Sequence, residues 1–169
     1  MVSVKNIKIS VKVKKLCLRE TSERLVEQNI TVKTYLNYIT FHHKFSFVLF
    51  KQSKCGTNHV NVTKIKDYSH VHEAIATLKV VSGAEVLTHR IDNIIAIHSC
   101  PYSINLSDLI TQNAFECMKY NPESFPGLFV KSDIGTVIIF HSGKLVIVGC
   151  KNLDQVWLLF QLVHTKIQS

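Results

Sequence analysis

The sequence predicts an α+β fold of two pseudo-symmetric halves, residues 1–85 and 86–169, within one domain of 169 residues. The run from Val2 to Val13 alternates β-branched and polar side chains with period two, as a strand with one buried face does. The order strand, helix, several strands, helix then passes twice along the chain at a spacing of about 85–90 residues. Anchors support the repeat: Asn6 and Ile7 answer Asn93 and Ile94 at an offset of 87, and Phe47–Phe50 answers Val137–Phe140 at 90. Val60–Lys66 answers Leu145–Lys151 at 85, and such drift fits insertions in hairpin turns.

Each element follows from local pattern. Residues 18–28 offer a Thr/Ser start and good helix formers, and the β-rich runs Lys33–Phe41 and Lys44–Lys51 follow. Gln52–His59 is a turn by composition, and Val60–Lys66 is a further strand. In residues 68–80, Val71, Ala74, Ile75 and Leu78 recur at helical spacing and predict an amphipathic helix. The second half predicts a strand at Ile91–His98, a helix over Asn105–Cys117 and a strand at Phe125–Lys131. Thr136–Phe140 and Lys144–Gly149 form a hairpin across His141, Ser142 and Gly143, and Leu153–Ile167 closes the chain as a helix.

Composition narrows the class. Hydrophobic residues make 46% and charged residues 19% of the chain, with 3 Pro and 6 Gly, which excludes collagenous and disordered chains. No apolar run reaches the roughly 18 residues of a membrane helix. The net charge of +8 is uneven: residues 1–85 hold 14 basic and 6 acidic groups, residues 86–169 six of each. Such an excess suits a polyanion; lysines kept for solubility are the alternative. The five cysteines are odd in number, widely spread and without a CxxC pair, so they read as reduced thiols, mostly core filler. The nine histidines show no ligand spacing, and neither a metal nor a cofactor is expected. No Ser/His/Asp or Cys/His arrangement and no phosphate loop points to an enzyme.

The run Tyr120–Leu128 (YNPESFPGL), the run Ile139–Val146 (IFHSGKLV) and Gly149–Lys151 resemble the second repeat of the TATA-box-binding protein family. Ile91–Ile95 is similar to that repeat's opening strand, and Asn152–Gln168 to its long final helix. The resemblance is specific over residues 90–168 and matches in outline over 4–80. It implies a saddle: a curved antiparallel sheet whose concave face sits in the DNA minor groove, with helices on the convex back. The family is itself the standing example of a minor groove kinked by apolar wedges, so that mechanism is carried over with the resemblance.

Phe125 and Phe140 match the wedge phenylalanines, since a flat apolar ring replaces part of a stacking contact where a kink opens the helix. Phe50 and Tyr35 fall at the wedge positions of the first half; core packing is the equal alternative for Tyr35. Asn6 and Asn93 match paired asparagines whose amides donate to purine N3 or pyrimidine O2 in the minor groove. Ile95, Ile138, Val146 and Thr136 would form an apolar floor that penalises the guanine amino group. Thr63 matches a family threonine, whereas Val148 stands where the second repeat has one. Lys131, Lys144 and Lys151 match basic rim positions that would meet phosphates.

The resemblance implies double-stranded DNA as ligand, bound by a monomer, with a B-type initiation factor and the RNA polymerase machinery as partners. Asn121 and Glu123 lie in the stirrup that would touch the B-type factor. The site of action would be a nucleus or, for a large DNA virus, a cytoplasmic factory. Lys8 and Asn61 make the first-half floor more polar than the family pattern. Together with Val148 they keep a second reading open: a module of the same fold that binds a protein instead of DNA.

Overall fold

The computed structural model describes residues 1–168. They form two compact units, Asn6–Asp92 and a second made of Asn93 onward together with Met1–Lys5.

The first unit contains most of β1 (Ser3–Lys14), then α1 (Leu18–Glu27), β2 (Val32–Thr34), β3 (Tyr38–His42), β4 (Ser46–Phe50), β5 (Thr57–Ile65) and α2 (His70–Ser82). Its strands pair antiparallel in the order β2-β3-β4-β5-β1. The alternation of β1 puts Ile7, Ile9, Val11 and Val13 fully inside, with Ile39, Phe47, Leu49, Val60 and Val62 from the other strands. Leu25 of α1 and Ala74 and Leu78 of α2 are sealed in the same core, so the helices bury one face of this sheet.

The second unit repeats the order with β6 (Val86–Ser99) from Asn93 on, α3 (Leu106–Thr111), β7 (Met118–Asn121), β8 (Phe125–Ser132), β9 (Gly135–Phe140), β10 (Lys144–Cys150) and α4 (Leu153–Gln168). The pairing order is β7-β8-β9-β10-β6, matching the first unit strand for strand. Ile94, Ala96, Leu128, Val137, Ile139, Leu145 and Ile147 are fully buried, and Val156, Leu159 and Val163 of α4 join them. The α+β class and the doubled order predicted from the sequence are therefore present. No helix among the described residues is long and apolar enough to cross a membrane.

Local expectations need correction. The helix expected over Asn105–Cys117 ends at Thr111. Asn105 caps it by accepting the Ser107 N–H (3.1 Å), and Asn113, at φ 51°, turns the chain out so that Ala114 N–H reaches Leu109 O (3.0 Å). The freed residues supply the short edge strand β7. The run Lys33–Phe41 is split by a turn in which Tyr35 N–H donates to Tyr38 O (2.9 Å). Thr57–His59, expected in a turn, already belong to β5, and the strand expected at Ile91 starts at Val86. Of the cysteines read as core filler, Cys100 and Cys150 are buried, but Cys17, Cys55 and Cys117 are exposed.

Candidate nucleic-acid interface

The face of each sheet turned away from its helices carries the residues singled out in the sequence. In the second unit this face runs through Ile95 and Ile97 on β6, Val146 and Val148 on β10, Thr136, Ile138 and Phe140 on β9, and Phe129 on β8, all half-buried. Register sets them side by side: Val146 lies opposite both Ile97 and Ile138, Ile138 opposite Phe129, and Val148 opposite Thr136. The result is a continuous apolar floor.

At one end of this floor stand the two phenylalanines. Phe125, 37% exposed, packs edge-to-face on Phe140 with ring centroids 5.7 Å apart, and lies 5.1 Å from Phe129. Gly127, paired with Phe140, makes this approach possible. A Cβ there would sit 2.7 Å from both Phe125 Cε1 and Ile138 Cγ2, and 3.2 Å from Phe140 Cε1. The chain reaches Phe125 through a turn in which Asn121 O accepts the Ser124 N–H (3.1 Å), and Asn121 and Glu123 are exposed on it.

The first unit has a related but different cluster. Tyr38 lies opposite Phe50, as Gly127 lies opposite Phe140. Tyr38 is 5.7 Å from Phe50 and stacks on the exposed Tyr35 at 4.5 Å, so Tyr35 and Phe50 are joined through a third ring and not directly. Thr63 sits half-buried opposite Ser46.

The paired asparagines do identical work in the backbone. Asn6 Oδ1 accepts the N–H of Lys64 (2.9 Å), and Asn93 Oδ1 accepts the N–H of Gly149 (2.6 Å). Both donor residues fall at register shifts and have positive φ, 66° and 94°. With each carbonyl oxygen engaged, the Nδ2 hydrogens are the donors left for an outside acceptor.

Lysines mark the edge. Lys131, next to last in β8, lies opposite Thr136, and Lys144 opens β10 opposite Ser99; both are exposed. Lys151 lies in the link between β10 and α4, where its N–H donates to Gln155 Oε1 (2.7 Å).

On the first unit the same face is polar. Asp92 accepts from Arg90 Nε (3.0 Å) and from the Ser10 hydroxyl, and Lys8 Nζ lies 3.7 Å away. Ser10 also reaches Asn61 Oδ1 (3.1 Å). Partial burial works against the Asp92 charge, yet the hydrogen bonds from Ser10 and Arg90 and the charges of Arg90 and Lys8 outweigh it and hold the carboxyl below its ordinary value. Phe129, Ile97, Tyr38 and Asp92 lie on these faces beside the residues expected from the sequence. Period-two counting from Gly127 and Ile95 reaches Phe129 and Ile97; Tyr38 and Asp92 emerge only from cross-strand pairing.

Among the described residues, this face of the second unit joins an apolar floor, a pair of phenylalanine rings and exposed lysines. The fold is that of a solved relative, "Methanococcus jannaschii TBP", with a TM-score of 0.79 and 23% identity, covering 99% of this chain and 98% of that one. The family model described as "Transcription factor TFIID (or TATA-binding protein, TBP)" matches residues 88–169. A TATA-box-binding protein of Methanococcus vannielii is 30% identical over 136 residues, 75% of this chain and 70% of the relative. The chain belongs to the TATA-box-binding protein family. The TATA-box-binding protein of Methanococcus maripaludis is 35% identical over 96 residues, and TATA-box-binding protein B of Halobacterium salinarum is 31% identical over 123. This chain spans 50% and 62% of those two relatives.

Proposed function

We propose that this chain is a transcription initiation factor that binds and bends A·T-rich duplex DNA through the minor groove. The observation that carries the reading is the Phe125–Phe140 pair packed over Gly127 at the end of an apolar floor. Inserted at a base step, the rings replace stacking lost when the duplex opens, the mode of which this family is the standing example. Ile95, Ile138, Val146 and Val148 give a guanine amino group no acceptor, while Asn6 and Asn93 offer donors to A·T pairs. Lys131, Lys144 and Lys151 supply phosphate contacts. No bond is made or broken; binding energy offsets unstacking.

Partners follow from the same reading. The turn bearing Asn121 and Glu123 meets a B-type initiation factor, the RNA polymerase machinery assembles beyond it, and the protein acts as a monomer on DNA in a nucleus or a cytoplasmic viral factory.

Mobility shift and end-to-end fluorescence transfer on an A·T-rich duplex, across a salt series, test this. The native chain should bind and shorten the end-to-end distance. Phe125→Ala with Phe140→Ala should abolish the shortening while the fold persists by circular dichroism, and unchanged bending would remove the wedge role.

The polar face formed by Lys8, Ser10, Asn61, Arg90 and Asp92 favours a second reading, a protein-binding module of the same fold. Absence of any shifted band at low salt would favour it.

A further inference from the structure

We propose that His98, Cys100 and His164 form a binding site for a borderline-soft divalent metal ion of the Zn²⁺ class. Their ligand atoms all lie within 4.8 Å of one another, although the residues come from β6, the loop just beyond it and α4. Cys100 is buried and held by its N–H donating to Gly143 O (2.9 Å). The His98 ring packs on Phe160 (4.7 Å) and lies perpendicular to the His164 ring at 5.7 Å. Phe160 and His164, one turn apart on α4, are 4.9 Å apart.

Packing alone leaves a defect. The His98 Nδ1 is buried and has no hydrogen-bond partner among the described residues, an arrangement that proteins avoid. A metal bound at that nitrogen would satisfy it. Zn–S and Zn–N bonds of about 2.3 and 2.0 Å place one sulfur and two nitrogens of a tetrahedron about 3.3–3.5 Å apart, so side-chain displacements of roughly 1 Å close the site. One thiolate with two imidazoles selects Zn²⁺ or Co²⁺ over Mg²⁺ and Ca²⁺. Three protein ligands leave a fourth position for water. On binding, the Cys100 S–H bond breaks, an S–metal bond forms and the proton passes to buffer. The ion would then tie α4 to the end of β6.

The test uses the full chain, reduced and dialysed against chelator, titrated with Co²⁺. One equivalent should bring a sulfur-to-cobalt charge-transfer band and tetrahedral d–d absorption, both displaced by Zn²⁺. It should also quench Trp157, the sole tryptophan, whose ring lies 6.0 Å from Phe160. Cys100→Ser should remove the charge-transfer band, His164→Gln should weaken binding at least tenfold, and Cys117→Ser, at an exposed thiol, should change nothing. Should Cys100→Ser unfold the chain, His164→Gln leaves the sulfur in place and decides alone. No band at one equivalent, a band without sulfur character, or full affinity in His164→Gln would each overturn the proposal.

Discussion

Asn93 Oδ1 accepts the backbone N–H of Gly149 at 2.6 Å, across a register shift in the β6–β10 pairing. The carbonyl oxygen thereby fixes the amide, and the donor nitrogen is set before any ligand arrives. Asn6 holds Lys64 in the same way.

Asn93→Ala should therefore act twice. Loss of the donor should weaken binding to the preferred duplex by about 1–3 kcal/mol, the range for one base contact. Loss of the acceptor should lower stability by about 1 kcal/mol, because Gly149 N–H is left without this partner. Titration on A·T-rich and G·C-rich duplexes, beside denaturant melts, separates the two. An equal loss on both duplexes would mean that the amide reads no sequence.

Gly127→Ala should displace the aromatic pair. A Cβ 2.7 Å from Phe125 Cε1 and Ile138 Cγ2 is closer than side chains tolerate, so the rings must move or the strand must shift. Overpacking of this kind costs about 1–3 kcal/mol. Fluorescence transfer on bound DNA should show a reduced bend, with the loss in stability measured by urea unfolding.

Leu128→Ala tests the opposite face. Leu128 follows Gly127 on β8 and is fully buried, and removal of a buried leucine costs about 2–5 kcal/mol. Bending by the fraction that stays folded should be unchanged, since only the helix-covered side is altered.

Asp92 gives a pH prediction. Its carboxyl is held below the unfolded value of about 3.9, so its contribution is complete above that value and is lost as pH falls through the lower folded value. Asp92→Asn should flatten the acid limb of a stability–pH curve and lower the plateau at neutral pH by about 1 kcal/mol, a modest figure because Arg90 and Lys8 are largely exposed. A parallel, unflattened acid limb in the variant would assign the acid sensitivity to other carboxylates.

Much of the architecture was readable because alternation and helical spacing are local. The Val2–Val13 pattern announced β1, and the YNPESFPGL run announced the turn, β8 and the ring that opens it. Four-residue β7 carries too little pattern to register, and nothing local to Asn105–Cys117 shows that Asn113 takes the left-handed turn beyond the helix end at Thr111. The phenylalanine pair lies in two recognisable runs, so it was legible; Tyr38 was not, since its place opposite Phe50 depends on which residues the turn at Tyr35 consumes. His98 and His164 stand 66 positions apart, and only the packing of α4 brings them within reach of Cys100.

The ion pairs within residues 6–92 change what the excess of lysine means. Lys8 lies by Asp92, Lys14 by Glu85, Arg19 by Glu23 and Lys44 by Glu73, so four of the fourteen cations in residues 1–85 already face a carboxylate of their own chain. Formal charge thus overstates available charge. Fewer condensed counterions would leave a duplex on association than a tally of basic residues suggests, and the slope of affinity against the logarithm of salt concentration would be shallower by that difference.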